Sequence, residues 1–176
     1  MHQESRLIIN CISLLEQGAR LLEQLTDDVY AKRSVLSPRG SVGGHLRHCV
    51  DFYRSFLEGL ESNRIDYNFR RRDPKLEIDR RYAIDEIYRL ISQLREILPL
   101  FRIAPILVST EDCADSREFW CGSSVVRELE FLQSHTSHHY SLMAVLLRFD
   151  RIEAGEEFGV APSTLRYWRE ETACAQ

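Results

Sequence analysis

Apolar residues recur at three- and four-residue steps over four long stretches of the chain, and prolines, glycines and polar runs break the pattern between them. Ile8, Ile12, Leu15, Ala19 and Leu22 share one helical face and predict a first helix over residues 4–25. Ser37-Pro38-Arg39-Gly40-Ser41 is a break: Pro38 cannot continue a helix, and Ser41 can cap the next one. A second helix is expected over residues 42–60. The polar stretch 62–74 reads as an ordered loop anchored by Ile65, Tyr67 and Phe69. A third helix is expected over residues 79–98, with Ile84, Ile87, Ile91, Leu94 and Leu98 as its stripe and Pro99 as its stop.

From Ile103 to Cys121 the period changes. Ile106-Leu107-Val108-Ser109-Thr110 is rich in β-branched residues and Phe119-Trp120-Cys121 is aromatic, so a short hairpin is expected. The fourth long helix starts after Gly122, capped by Ser123 or Ser124, and runs to about residue 149. A last helical segment over 162–170 opens on Pro162, a residue suited to a first helical turn. There is no internal repeat. Residues 1–176 therefore read as one all-α domain, a four-helix bundle with a short hairpin before its last long helix and a C-terminal helical segment.

Composition narrows the function. At 44% apolar and 28% charged residues the chain is a globular domain. A net charge of −4 gives no general field for nucleic acid or anionic membrane. No apolar run approaches a membrane span, and the N-terminus leads straight into an amphipathic helix without a signal peptide, so a cytoplasmic protein is expected. The five cysteines (Cys11, Cys49, Cys113, Cys121 and Cys174) are scattered and without a Cys-x-x-Cys pair, which fits reduced thiols.

The chemistry lies in the histidines. Apart from His2, they form two groups: His45 and His48 on the second helix, and His135, His138 and His139 on the fourth. Residues three or four apart share a helical face. His135 and His139 thus join the inward stripe Glu128, Leu132, Leu142 and Leu146, while His45 and His48 join Ser41, Phe52 and Phe56. His138 lies off that stripe. Buried imidazoles need partners, and a divalent ion takes the lone pair of a neutral imidazole. A three-histidine site leaves a coordination position open, as catalytic sites do, and an ion there acidifies bound water. The His-Glu-x-x-His motif of metalloproteases is absent, since Thr136 stands where its glutamate would be.

With these groups in place, the chain resembles the DinB-like superfamily, related to YfiT-like hydrolases and bacterial thiol S-transferases. The resemblance spans nearly the whole chain. Ser41-Val42-Gly43-Gly44-His45-Leu46-Arg47-His48 is similar to the family phrase Ser-Ile-Gly-x-x-Leu-x-His, and His135-Thr136-Ser137-His138-His139 to its later cluster. A tryptophan common before the first phrase is missing. The resemblance implies one divalent ion, zinc or nickel first and iron or manganese next, held by His48, His135 and His139. It also implies an enzyme of hydrolase or thiol S-transferase type, or else a non-catalytic, stress-related metal-binding bundle. The substrate would be a small molecule such as a low-molecular-weight thiol, and a homodimer is expected.

His45 is then a fourth ligand or a residue that orients one, and His138 packs or hydrogen-bonds beside the site. Asp51 and Glu128 could orient imidazole N–H groups. Tyr53, Tyr140 and Glu128 are candidates for a general base. Two other features read blandly. Phe158-Gly159-Val160-Ala161-Pro162-Ser163-Thr164-Leu165-Arg166-Tyr167-Trp168 is similar to the start of a MerR-type recognition helix, yet it lacks the partner elements and basic surface of a DNA reader. It is expected to pack Leu165, Tyr167 and Trp168 on the bundle. Arg70-Arg71-Arg72, Lys75, Arg80 and Arg81 are interleaved with Asp66, Asp73, Glu77 and Asp79, a self-neutralising surface.

Overall fold

A computed structural model describes residues 3–36, 40–97, 105–111 and 118–174. Four long helices, α1 (Gln3–Gln24), α3 (Val42–Ser62), α5 (Arg80–Ile97) and α6 (Val125–Phe149), are joined by short α2 (Asp27–Ala31) and α4 (Lys75–Ile78) and followed by α7 (Pro162–Cys174). Strands β1 (Arg64–Asp66), β2 (Pro105–Glu111) and β3 (Glu118–Ser124) complete the order. Pro38, Leu98, Pro99, Ile103 and Cys113, invoked above, lie outside the described residues.

Each long helix packs on two others. α1 lies against α5 and α6, and α3 lies against α5 and α6. The cyclic order α1–α5–α3–α6 makes α3 and α6 neighbours. The interior takes Ile8, Leu15 and Leu22 of α1, Phe56 of α3, Ile87 and Leu94 of α5 and Leu132 of α6 from the predicted stripes, but Leu46 of α3 and Leu129 and Met143 of α6 join it from outside them, and Leu142, expected to face inward, is exposed.

The helix ends follow from local chemistry. Ser41 caps α3 by accepting from the Gly44 N–H at 2.9 Å, and Ser124 caps α6 by accepting from the Arg127 N–H at 3.2 Å. Ser123 has another partner, the Glu128 carboxylate at 2.5 Å. α3 stops at Asn63, which takes the left-handed conformation (φ 55°) that ends many helices. Gly43 is a packing requirement. A Cβ there would lie 2.2 Å from the Glu77 carbonyl oxygen, so only glycine lets α4 approach α3 this closely.

The architecture departs from all-α in one respect. The expected hairpin is present, with Leu107 opposite Gly122 and Val108 opposite Cys121, but β1 adds a third, parallel strand, with Ile65 opposite Val108. The molecule is thus mostly helical with a small three-stranded sheet. The stretch expected as a loop supplies that strand, and its anchors divide. Ile65 and Tyr67 are buried, whereas Phe69 is 86% exposed. The Asp66 carboxylate accepts from the backbone N–H groups of Asn68 and Phe69, forming a turn that aims the Phe69 ring outward. α7 also differs from expectation: Leu165 is half-buried, while Tyr167 and Trp168 stand in solvent, and the Tyr167 hydroxyl donates to Glu171 on its own helix.

No helix among the described residues is long and apolar enough to cross a membrane.

Candidate metal centre

The seam between α3 and α6 is antiparallel, and ring contacts mark its rungs. His45 meets His139 (centroids 5.2 Å apart), His48 meets His135 and His139 (4.9 and 4.5 Å), and Phe52 meets His135 and Phe131 (4.2 and 5.7 Å). As α3 advances from residue 45 to 52, its partners on α6 recede from 139 to 131. His135 and His139 stack on each other at 4.6 Å, as residues one turn apart do.

His48, His135 and His139 each offer one nitrogen, and these atoms all lie within 4.8 Å of one another, a group that could hold a metal ion. Tetrahedral zinc with nitrogen ligands at about 2.1 Å requires ligand pairs about 3.4 Å apart. Where a pair stands wider than that, its half-buried rings would have to turn toward the ion. Two observations fit an ion. The Nε2 of His135 is buried without a hydrogen-bond partner, an arrangement that costs stability unless something takes its lone pair. All three rings are also held neutral. Burial pushes the His48 and His135 pKa values down to about 4, helped by the Arg70 guanidinium, and that of His139 down to about 3, helped by its neighbouring imidazoles. Neutral imidazole is the form that ligates.

His45 lies outside this group and touches it. Its Nδ1 is 2.9 Å from the Nδ1 of His139, so one of the two donates to the other. The contact occupies one nitrogen of His139 and leaves its Nε2 for an ion. His138 is exposed and meets His139 edge-on at 5.3 Å.

The two expected carboxylate helpers differ. Asp51 is 2% exposed, lies in the field of the Arg47, Arg54 and Arg70 guanidinium groups, and keeps its Oδ1 buried without a hydrogen-bond partner, while burial raises its pKa. Glu128 takes the Ser123 hydroxyl at the start of α6 and lies beside the buried Tyr67. Tyr53 and Tyr140 are fully buried, and burial raises both phenols well above their ordinary value. Tyr53 meets Thr136 at 3.4 Å, and Tyr140 stacks on Phe158 at 4.7 Å. Both belong to the core, so neither acts as a base at neutral pH.

Sequence reasoning missed the aromatic wall beside the histidines. Phe52 stacks on Tyr67 at 5.0 Å, and Phe131 packs on Tyr67 at 5.3 Å and edge-on to His135. Phe52 stands four residues after His48, and Phe131 four before His135, so helical spacing placed both one turn from a ligand. Tyr67 comes from the segment after β1, which no local pattern linked to the helices.

No protein-family model matches the chain, and no solved structure matches it. Among curated proteins, a 109-residue stretch is 30% identical to "FK506-binding protein 5" of Rhizopus delemar, covering 61% of this chain and 28% of that protein. The chain thus spans less than a third of that relative, whose name describes a much longer molecule.

Proposed function

We propose that this chain is a metal-dependent enzyme of the DinB-like type, of hydrolase or thiol S-transferase chemistry, with His48, His135 and His139 as the ligands of one divalent ion. The carrying observation is the convergence of three neutral imidazoles from α3 and α6, with the His135 Nε2 buried and unpartnered. Three neutral ligands favour zinc or nickel, with iron or manganese next. When bound, such an ion supplies Lewis acidity and lowers the pKa of a water or thiol. The chain's own contributions are distinct. His45 fixes the orientation of His139, and the wall of Phe52, Tyr67 and Phe131 packs beside His48 and His135. The proposed substrate is a small molecule, a low-molecular-weight thiol being the first to assay.

A second reading, a non-catalytic metal-binding bundle, is favoured by one feature: Glu128, an expected carboxylate helper, takes the Ser123 hydroxyl instead. Conjugation assays with low-molecular-weight thiols and electrophiles separate the two readings.

The metal itself is tested by thermal unfolding of protein prepared without a histidine tag. Zinc at about 100 times its Kd adds about 2.7 kcal/mol, which for a chain of this size raises Tm by roughly 5–10 °C. EDTA reverses the shift, and His135→Ala abolishes it. An unchanged Tm with zinc, nickel and manganese refutes the site.

A further inference from the structure

β3 is an edge of the sheet, whose strand order is β1–β2–β3. The ladder fixes which way its backbone points. The Leu107 N–H donates to the Asn63 carbonyl oxygen at 2.9 Å, so Leu107 and its alternates on β2 face β1, while Ile106, Val108 and Thr110 face β3. Their partners Ser123, Cys121 and Phe119 make the bonds between β2 and β3. Glu118, Trp120 and Gly122 therefore turn their N–H and C=O groups to the outside, and no backbone hydrogen bond among the described residues takes them. Edge strands are commonly guarded by proline, lysine or a bulge. β3 has none of these, and residues 118–124 pair one for one with β2. The space beside Gly122 is open, since a Cβ there would meet nothing within 4 Å. Cys121 is exposed, and the Arg64 guanidinium lies over the Trp120 ring at 4.5 Å.

We propose that β3 pairs with β3 of a second copy of this chain, antiparallel about a two-fold axis at Cys121, joining two three-stranded sheets into one of six strands. The case for a second copy as the occupant is self-complementarity. With the axis at Cys121, all of residues 118–124 find partners, and a shift of two residues either way leaves the strand ends unpaired. The outward groups of Trp120 then bond those of Gly122 in the second copy, and the reverse. An indole thus stands opposite each edge glycine, a pairing that fills the room a glycine leaves. Glu118 is the one charged residue of the strand, and its position falls opposite Ser124, so no like charges meet. The two Cys121 residues form a non-hydrogen-bonded pair at the axis, with Cα atoms about 4.5 Å apart, inside the range a disulfide spans. The association is independent of the metal centre.

Sedimentation velocity on the full chain, reduced and in EDTA, reads the association. A strand pair buries less than a standard interface, so the dimer should be weak, with a Kd on the order of 100 µM. Gly122→Pro deletes one outward N–H per copy and leaves every bond to β2 in place; it should weaken the dimer by about tenfold or more. Gly122→Lys keeps the N–H but sets two ammonium groups on the diagonal, about 7–8 Å apart, and should weaken it most at low salt. Should the proline variant not fold, the lysine variant carries the comparison. The register is read separately by oxidation in a Cys113→Ser/Cys174→Ser background, where Cys11 and Cys49 are buried and Cys121 reports. Two Cys121 thiols close one disulfide, and their two protons and two electrons pass to one dithionitrobenzoate, which leaves as two thionitrobenzoates. The covalent dimer should form readily, and about tenfold more slowly with Gly122→Pro added. A chain that stays monomeric to about ten times the expected Kd overturns the proposal. So does a dimer that neither Gly122 variant weakens, which would use another surface, and so does a dimer whose Cys121 thiols do not join.

Discussion

Removing His45 distinguishes a ligand from a residue that orients one. Its Nδ1 lies 2.9 Å from that of His139, within hydrogen-bond range, and its ring stands outside the group whose nitrogens converge. A partner that fixes a ligating imidazole typically contributes 10- to 100-fold in metal affinity, or about 1.4–2.7 kcal/mol. His45→Ala should therefore weaken zinc binding by about that factor, with stoichiometry still one ion per chain. His45→Gln, which keeps a polar side chain near His139, should lose less. The assay is competition with a chromophoric chelator at pH 7.5, with cobalt spectra recorded in parallel. If His45 orients a ligand, the cobalt spectrum keeps its pattern of bands in the variant. A loss well above a thousandfold with a changed cobalt spectrum would mean that His45 is a direct ligand. An affinity within about twofold of the parent would mean that the contact does nothing for the site. Either result refutes the positioning role.

Two further outcomes follow from the structure. The metal-free protein should lose stability as pH falls. The folded imidazoles titrate near 4, 4 and 3 against an ordinary value of 6.5, so between about pH 6.5 and 4 the unfolded chain holds more protons. Stability is then present above pH 6.5 and drains away below it, by at most on the order of 2 kcal/mol per imidazole between pH 7 and 5 and less after solvent screening; urea midpoints at pH 7, 6 and 5 check this, and a midpoint that rises on acidification refutes it. Gly43→Ala should destabilise by about 1–3 kcal/mol despite alanine's better helix propensity, because its Cβ meets the Glu77 carbonyl oxygen at 2.2 Å and Tyr30 at 3.0 Å; denaturant unfolding reads it.

What the sequence made legible was local. The three- and four-residue steps of Ile8, Leu15 and Leu22, or of Ile87 and Leu94, placed those residues in the core because helical period depends on near neighbours alone. The hairpin showed in the β-branched run at 106–110 for the same reason. The strand at 64–66 did not show: it is three residues long, lies in a polar stretch, and pairs in parallel with residues some forty positions later. Phe69 was misjudged because hydrophobicity does not say which way a turn points, and the Asp66 turn decides that. Spacing put His45 and His48 on one face and His135 and His139 on another, but nothing local says that those faces meet. Only the family resemblance joined them, and the adjacency of α3 and α6 now supplies the physical reason. Arg70 was hidden by its neighbours' charges, because a balanced composition is silent about which cation folds inward.

Stability separates ligand histidines from histidines that merely complete a core. A histidine that completes a core through hydrogen bonds should be costly to replace with leucine, because its partner is left buried and unpaired. A ligand histidine in a metal-free protein is the reverse: it carries desolvated polar atoms, such as the His135 Nε2, that nothing repays. His48 and His135 abut Phe52, with Phe131 beyond His135, so leucine at these positions would extend an apolar seam already present. The variant His48→Leu/His135→Leu/His139→Leu should therefore unfold at a higher temperature than the metal-free parent, while showing no response to zinc. Sites selected for function commonly carry such a stability cost. His139 supplies the internal control, since its loss also removes the partner of His45. His48→Leu/His135→Leu should thus gain more than the triple variant. A double variant less stable than the parent would mean that the imidazoles serve the core, and the metal reading would lose its physical basis.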